Sequence, residues 1–515
     1  MKKIIRPLLT STALLVFALS FSFQAKAANI INYATIGEPP SLDVQVGTAT
    51  IASTIGNHMF ETLYSFDSNY VPQPLLASGE RIEDGGKTII ISLREGVPFH
   101  NGQELTANDV VASLKRWGEF GSRGKQLMAN ATSLEATGKY EVTLRLSEPN
   151  GAWKSMLSYP NGGSVIYPAD IANAAGGKPI DAANYIGTGP FKFHEWLPNR
   201  YVELVKFDNY KGVTGKSDGY AGERVALVDA LRFIPVPDVG TRVSGVQAGD
   251  YDYAEFITGD LYETLAADKS VVIHRSGAPL FGLVFMNSKA GPLKDNFKLR
   301  RAIQMALNKT EALQVSIGPE SLWKANGSFY PKGTFWYCET GIEAYNQHDP
   351  VKARALAKEA GYDGTPLKLL VSTNYKTHYD QALVFNKQLT DAGFKIEMVV
   401  VDWATLLQKR AQPDQWDMFV THHDTVPDPI LFTLMNDSYP GWWQTPEKEA
   451  AKARFTGTAD PELRLKAWSD LQGLIYEQVP AMKVGDVYAY NIASPKLKGL
   501  SKSTVIWAHF WGVSK

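Results

Sequence analysis

The stretch from residue 367 to 421 leaves this chain few folds to choose from. Apolar runs at 367–371 (LKLLV), Phe394–Val401 and 417–421 (DMFVT) read as strands, and Ala382–Ala392 and Trp403–Arg410 between them read as helices. Strands alternating with helices of that length form a parallel sheet, because parallel neighbours need a crossover that returns the chain to the same edge. In open sheets of this kind ligands sit beyond the carboxyl ends of the strands. Two loops meet that condition, Ser372–Tyr379 (STNYKTHY) and His422–Pro429 (HHDTVPDP), and they are the site candidates that residue pattern alone supplies.

The rest of the chain is organised differently. Its first half reads as short strands and turns, such as Lys87–Leu93 (KTIIISL) after Asp84-Gly85-Gly86, and Tyr201–Phe207 (YVELVKF). Its second half carries punctuated helices: Asp295 is placed to cap a run with Leu299, Ile303 and Leu307, and Asp349-Pro350 opens a helix that Gly361 closes. With 44% apolar residues and no low-complexity tract or fixed-period repeat, the chain can fill the cores of two or three domains.

The first residues read as a secretion signal. Lys2, Lys3 and Arg6 precede an apolar run from Leu8 to Phe23, and Ala25-Lys26-Ala27 offers the small residues that a signal peptidase requires. A mature chain beginning at Ala28 is expected, 515 less 27 leaving 488 residues. The apolar run is shorter than the roughly 20 residues of a comfortable membrane span and nothing later approaches that length, so the mature chain is expected to be soluble. No Cys stands at the cleavage point, which argues against a lipid anchor, and Cys338, the only Cys, has no partner for an internal disulfide. Of 52 basic residues, Lys2, Lys3, Arg6 and Lys26 leave with the signal; the remaining 48 against 53 acids give a net charge of −5. That balance argues against a nucleic-acid partner.

Residues Arg94–Trp117 (REGVPFHNGQELTANDVVASLKRW) combine a turn at Gly102, a capping box of Thr106 with Asp109, and Val110, Leu114 and Trp117 at helical spacing. Turn, cap and amphipathic helix account for these residues without a ligand. GEPPSLD at Gly37–Asp43, FETLY at Phe60–Tyr64, IGTGPFKF at Ile186–Phe193, PLKDNFKLRRAIQMALNK at Pro292–Lys309 and DPVKARALAKEAGY at Asp349–Tyr362 accompany that block in order. Together they resemble family 5 of the bacterial solute-binding proteins, the peptide, nickel and opine class of ABC importer receptors, and within it the periplasmic oligopeptide- and dipeptide-binding proteins.

That resemblance implies an α/β protein of the type II periplasmic-binding fold, with two lobes, a hinge and an extra small α+β domain. It implies a discontinuous first lobe from 28–71, 187–277 and 486–515, the small domain at 72–186 and a second lobe at 278–485, closing on the ligand by hinge motion. A helix with the spacing W-x3-L-x2-R lines the pocket of peptide-binding members; here Trp403, Leu407 and Arg410 stand at that spacing on one helical face. Arg410 is thereby a candidate partner for a ligand carboxylate, its planar fork suiting bidentate pairing. Thr48 and Thr50 match positions that contact the ligand main chain. The family's peptide binders hold the ligand ammonium with an Asp a few residues past the strand that here reads DMFVT. This chain offers Asp424 and Asp428, about two residues early and two late of that position as counted from Asp417; Asp428 precedes Pro429, where capping a turn is the alternative, so Asp424 is the first choice.

His422 and His423 raise a metal reading, since imidazole is the commonest transition-metal ligand, but adjacent strand residues point to opposite sides. Only one of the two, taken as His423, is expected to face a pocket, and no metal or cofactor is expected. Trp442 and Trp443 in YPGWW could stack on a ligand, with packing as the alternative. Gly85-Gly86-Lys87-Thr88 looks like the tail of a phosphate loop, but Arg81 stands where its first Gly should be, and neither HExxH nor GxSxG occurs. The expectation is a monomeric, non-enzymatic periplasmic receptor of an ABC importer that captures di- or oligopeptides for the membrane permease and its cytoplasmic ATPases. The alternatives are an opine or sugar–amino acid conjugate, a metal chelate or haem as cargo, and, from another class, an extracytoplasmic peptide hydrolase.

Overall fold

The structure, a computed structural model, describes residues 28–275, 279–500 and 507–515; the secretion signal expected at 1–27 lies outside the described residues. Two large mixed sheets carry the molecule. The first has seven strands in the order Val272–Arg275, Tyr490–Ala493, Tyr253–Ala254, Ile30–Thr35, Ala230–Pro235, Tyr201–Lys206, Phe191–Leu197. The second has six, in the order Trp323–Lys324, Ala481–Val487, Leu280–Met286, Met418–Asp424, Leu367–Ser372, Ile396–Val401. A third sheet, antiparallel and four-stranded (Ala77–Glu83, Thr88–Leu93, Glu141–Leu146, Ala131–Gly138), packs against the helix Ala107–Phe120.

Leu367–Ser372 runs parallel to both neighbours, as the strand–helix alternation requires, and the antiparallel pair Leu280–Met286 and Ala481–Val487 extends that sheet. The chain passes between the two large sheets twice, from Val272–Arg275 to Leu280–Met286 and from Ala481–Val487 to Tyr490–Ala493. Only Tyr488 and Ala489 separate the second pair of strands, so the link between the two lobes is short.

Two local expectations are corrected. The helix expected from Ala382 begins at Lys376. His378, Gln381, Ala382, Phe385 and Leu389 turn one face into the protein and Lys376 pairs with Asp380 one turn on, so the extra turn is held from both sides. The cap expected at Asp295 is supplied by Asn296, whose side chain accepts from the Leu299 N–H at 3.1 Å, while Asp295 takes a positive φ of 52°.

The family landmarks turn out to be held to one another by buried polar contacts. Asp43 of GEPPSLD pairs with Arg116 of the Arg94–Trp117 block at 2.6 Å and also accepts from Tyr167 and the Ile180 N–H. Glu61 of FETLY accepts from Thr188 of IGTGPFKF at 2.8 Å and from Tyr210 at 2.8 Å. Thr106 and Asp109 form the capping box, the Thr106 N–H donating to Asp109 at 2.8 Å, and Val110, Leu114 and Trp117 are buried. A buried charge is tolerable only when its partner and remaining hydrogen bonds are in place, so each of these motifs demands the others.

Candidate functional site

A cavity of about 540 Å³ opens where segments of both lobes meet. One wall comes from the first half of the chain: Gly37 and Glu38 after the first strand, Thr48 and Ala49 with the start of the helix Thr50–Gly56, and Arg123, Tyr159 and Asn161. The facing wall comes from the carboxyl ends of two parallel strands and the helix between them: Asn374 and Tyr375, Trp403, Leu407 and Arg410, then Thr421–Asp424, with Thr433 and Tyr439 beyond. This is the position that the sheet topology assigns to a ligand.

Asp402 fixes the helix Trp403–Arg410 by capping it, its carboxylate accepting from the Thr405 N–H at 2.9 Å. The Trp403 N–H donates to Asn374 at 2.8 Å, and the Trp403 ring meets Tyr375 edge-on at 4.9 Å. One turn of spacing then places Leu407 and Arg410 on the same wall as Trp403. Arg410 donates to the Tyr439 hydroxyl at 2.9 Å, and its guanidinium lies 5.2 Å from the centre of that ring.

Asp424 ends the strand Met418–Asp424 at the cavity. Burial pushes its carboxyl from the usual 3.8 up to about 7, against the opposing influence of the Arg123 charge and the Trp507 indole. It is ringed by phenols: after burial, its negative charge is among the causes that raise Tyr70, Tyr159, Tyr220 and Tyr375 above the usual phenol value.

The histidines behave differently. Nε2 of His423 accepts from the Thr433 N–H at 3.2 Å, which leaves Nδ1 to donate to the Asp424 carbonyl at 2.7 Å, and the ring stacks on Phe281. Burial lowers it from 6.5 to about 3. His422, assigned by alternation to the other side, also borders the cavity; its Nδ1 lies 3.0 Å from Nε2 of His378, and burial lowers it to about 4. Both act as neutral hydrogen-bonding groups that shape the strand end.

Seven of the eight residues singled out from the sequence border this one cavity: Thr48, Thr50, Trp403, Leu407, Arg410, His423 and Asp424. Asp428 does not. Its carboxylate takes Arg464 at 2.9 Å, is buried with it, and caps the turn Pro429–Leu431 through the Ile430 N–H. An acid answered so fully by the protein has nothing left for a ligand. Trp442 and Trp443 also stand away from the cavity: Trp442 stacks on Trp416 and Trp443 donates to Gln478. Sequence reasoning missed Arg123, Tyr159, Asn161 and Tyr439, which come from segments distant in the chain; Tyr375 lay in a flagged loop but was not singled out.

The family model for bacterial extracellular solute-binding proteins, family 5, matches residues 71–444. The chain belongs to that family. A relative named "Probable peptide ABC transporter periplasmic-binding protein" from Sinorhizobium fredii is 28% identical over 490 residues, covering 89% of this chain and 88% of its own. A glutathione-binding protein of Salmonella typhi is 25% identical over 479 residues, covering 89% of each. Among solved structures, the ABC transporter-associated periplasmic binding protein DppA of Helicobacter pylori, in complex with the peptide STSA, superposes with a TM-score of 0.82 at 20% identity, over 94% of this chain and 98% of that one. The fold is thus the two-lobed α/β type II periplasmic-binding fold, and the family consists of binding proteins. Among the described residues no helix is long and apolar enough to cross a membrane.

Proposed function

We propose that this solute-binding protein is the periplasmic receptor of an ABC importer and captures di- or oligopeptides for delivery to the membrane permease. The observation that carries the reading is the charge placement in the cavity: Asp424 and Arg410 stand on one continuous wall, each without an ionic partner within 4.0 Å among the described residues. An ammonium and a carboxylate at the ends of a peptide would answer them, complementary charges fixing the direction in which the ligand lies. Thr48 and Thr50 and the strand end at 421–424 would serve the peptide main chain, with Trp403 and Leu407 as apolar lining. Relatives named for peptides and for glutathione support the cargo class.

The same reading has the secretion signal removed before Ala28, a monomer free in the periplasm without a lipid anchor, and the division into 28–71, 187–277 and 486–515, 72–186, and 278–485. It also makes the protein a carrier that releases its cargo unchanged. Calorimetry with trialanine tests it: saturable binding by the wild type, weakened in both Arg410→Ala and Asp424→Ala with the fold intact, is the expected result. Wild-type affinity in both variants would remove the site assignment, and turnover of the peptide would favour a hydrolase.

A further inference from the structure

The cavity wall carries a third uncompensated charge. Arg123 rises from the helix Ser122–Met128 of the small domain, is buried, and donates to the backbone and side chain of Asn161 and, across the cleft, to the Leu431 carbonyl at 3.3 Å. Its guanidinium lies 4.8 Å from the centre of the Tyr159 ring, and its Nε has no hydrogen-bond partner. No carboxylate oxygen among the described residues lies within 4.0 Å of Arg123 or Arg410; Arg116, Arg232 and Arg464 each have one, and the buried Arg242 and Arg300 are met by backbone carbonyls instead, so what marks Arg123 is that it borders this cavity with its Nε unpartnered. Arg123 and Asp424 interact electrostatically without touching, and Tyr439 stands near both guanidinium groups.

The other acids on the wall are already committed. Glu38 accepts from the Trp196 indole at 2.6 Å and the Asn199 N–H at 3.0 Å, and Asp402 caps its helix; both are exposed. The interior therefore presents two unanswered guanidinium groups and one unanswered carboxylate. The surplus cation, Arg123, borders the cavity with its Nε unpartnered, where an anionic group of the cargo would answer it.

We infer that the cavity selects cargo bearing one ammonium and two carboxylates, a net charge of −1, with Arg123 holding the second carboxylate beside the ammonium that Asp424 holds. This rests on the function proposed above and narrows it to peptides with an acidic group near the amino end: an N-terminal glutamate or aspartate, or a γ-linked glutamyl head. Arg123 also spans the cleft, so the same contact would tie the closed lobes to an acidic cargo.

The test compares Glu-Ala-Ala, Gln-Ala-Ala and Lys-Ala-Ala by calorimetry at one pH and low salt. Glu-Ala-Ala should bind about ten- to a hundredfold more tightly than its neutral isostere, the worth of one charged hydrogen-bonded contact, and Lys-Ala-Ala should bind most weakly. In Arg123→Gln the preference for Glu over Gln should vanish, and in Arg123→Lys part of it should return. The wild-type comparison stands by itself should Arg123→Gln fold poorly. Equal affinity of the wild type for Glu-Ala-Ala and Gln-Ala-Ala overturns the charge assignment and leaves the peptide reading in place. Binding of none of the three contradicts the peptide reading instead; the charge assignment is then decided on cargo recovered from the purified protein, two carboxylates by methyl esterification with one amine upholding it and a single carboxylate overturning it.

Discussion

Asp424, at the end of a strand, and Asp428, four residues on in the turn beyond it, have opposite surroundings. Asp428 is buried against Arg464 and caps a turn, whereas Asp424 faces a cavity in which the nearest cation, Arg123, does not reach it. Other charges divide in the same way, although buried Arg300 and Lys309 are met by backbone carbonyls rather than by an acid. Scaffold charges such as Asp43 with Arg116 and Asp428 with Arg464 are paired within the protein; Arg123, Arg410 and Asp424 at the cavity have no ionic partner within 4.0 Å among the described residues. A charge paired within the protein specifies the fold, and one without an ionic partner at a cavity is where the proposed ligand would act.

The scaffold should show itself most strongly in acid. His58, His378, His423 and His509 are buried, and burial lowers all of them: His58 from 6.5 to about 4, His423 and His509 to about 3, and His378 well below its usual value. In the unfolded chain these groups take up protons near 6.5 while the folded protein resists, so stability is present above that pH and is lost as pH falls from about 6.5 toward 4. Thermal melts across that window should show a steep loss; a flat midpoint down to pH 4.5 would break the view that these rings are held neutral.

Next in size is the removal of one member of a scaffold pair. Arg116→Ala or Arg464→Ala strands a buried carboxylate and should cost about 3–5 kcal/mol in chemical denaturation. Arg410→Ala, by contrast, should leave stability within about 0.5 kcal/mol while weakening trialanine binding by about 2–5 kcal/mol. Equal stability losses in Arg116→Ala and Arg410→Ala would erase the distinction between the two classes of charge.

A smaller effect separates Asp424 from Asp428 by pH. Only the ionised Asp424 can answer an ammonium, and its carboxyl is raised to about 7 in the free protein. Affinity for trialanine should therefore fall as pH drops below 7, approaching about tenfold per unit, and become pH-independent over that range in Asp424→Asn. For stability the sign is reversed: a raised carboxyl opposes folding as pH climbs from 3.8 toward 7, so Asp424→Asn should melt slightly higher than the wild type at neutral pH.

Much of this was legible in the sequence because it rests on local pattern. The alternation over 367–421 gave the parallel strands, and the W-x3-L-x2-R spacing put Trp403, Leu407 and Arg410 on one face that does border the cavity. What was not legible depends on distant partners. Asp428 stayed a candidate behind Asp424 because its place before Pro429 suggests a turn cap but nothing near it in sequence reveals Arg464, 36 residues on. Arg123 drew no attention because its relation to the cavity is made by Asn161 and Leu431, the latter 308 residues away. The helix at Lys376 was cut short because its first turn is polar in sequence and its inward face is defined only by the tertiary packing of His378 and Gln381.

The central claim, that this cavity holds peptides between two lobes, is met most directly by native mass spectrometry of the protein purified gently from a periplasm, before and after unfolding strips its cargo. The account predicts a ladder of heterogeneous peptide masses that disappears on unfolding and is reduced in Asp424→Ala. A single discrete non-peptide mass, retained in that variant, would contradict it.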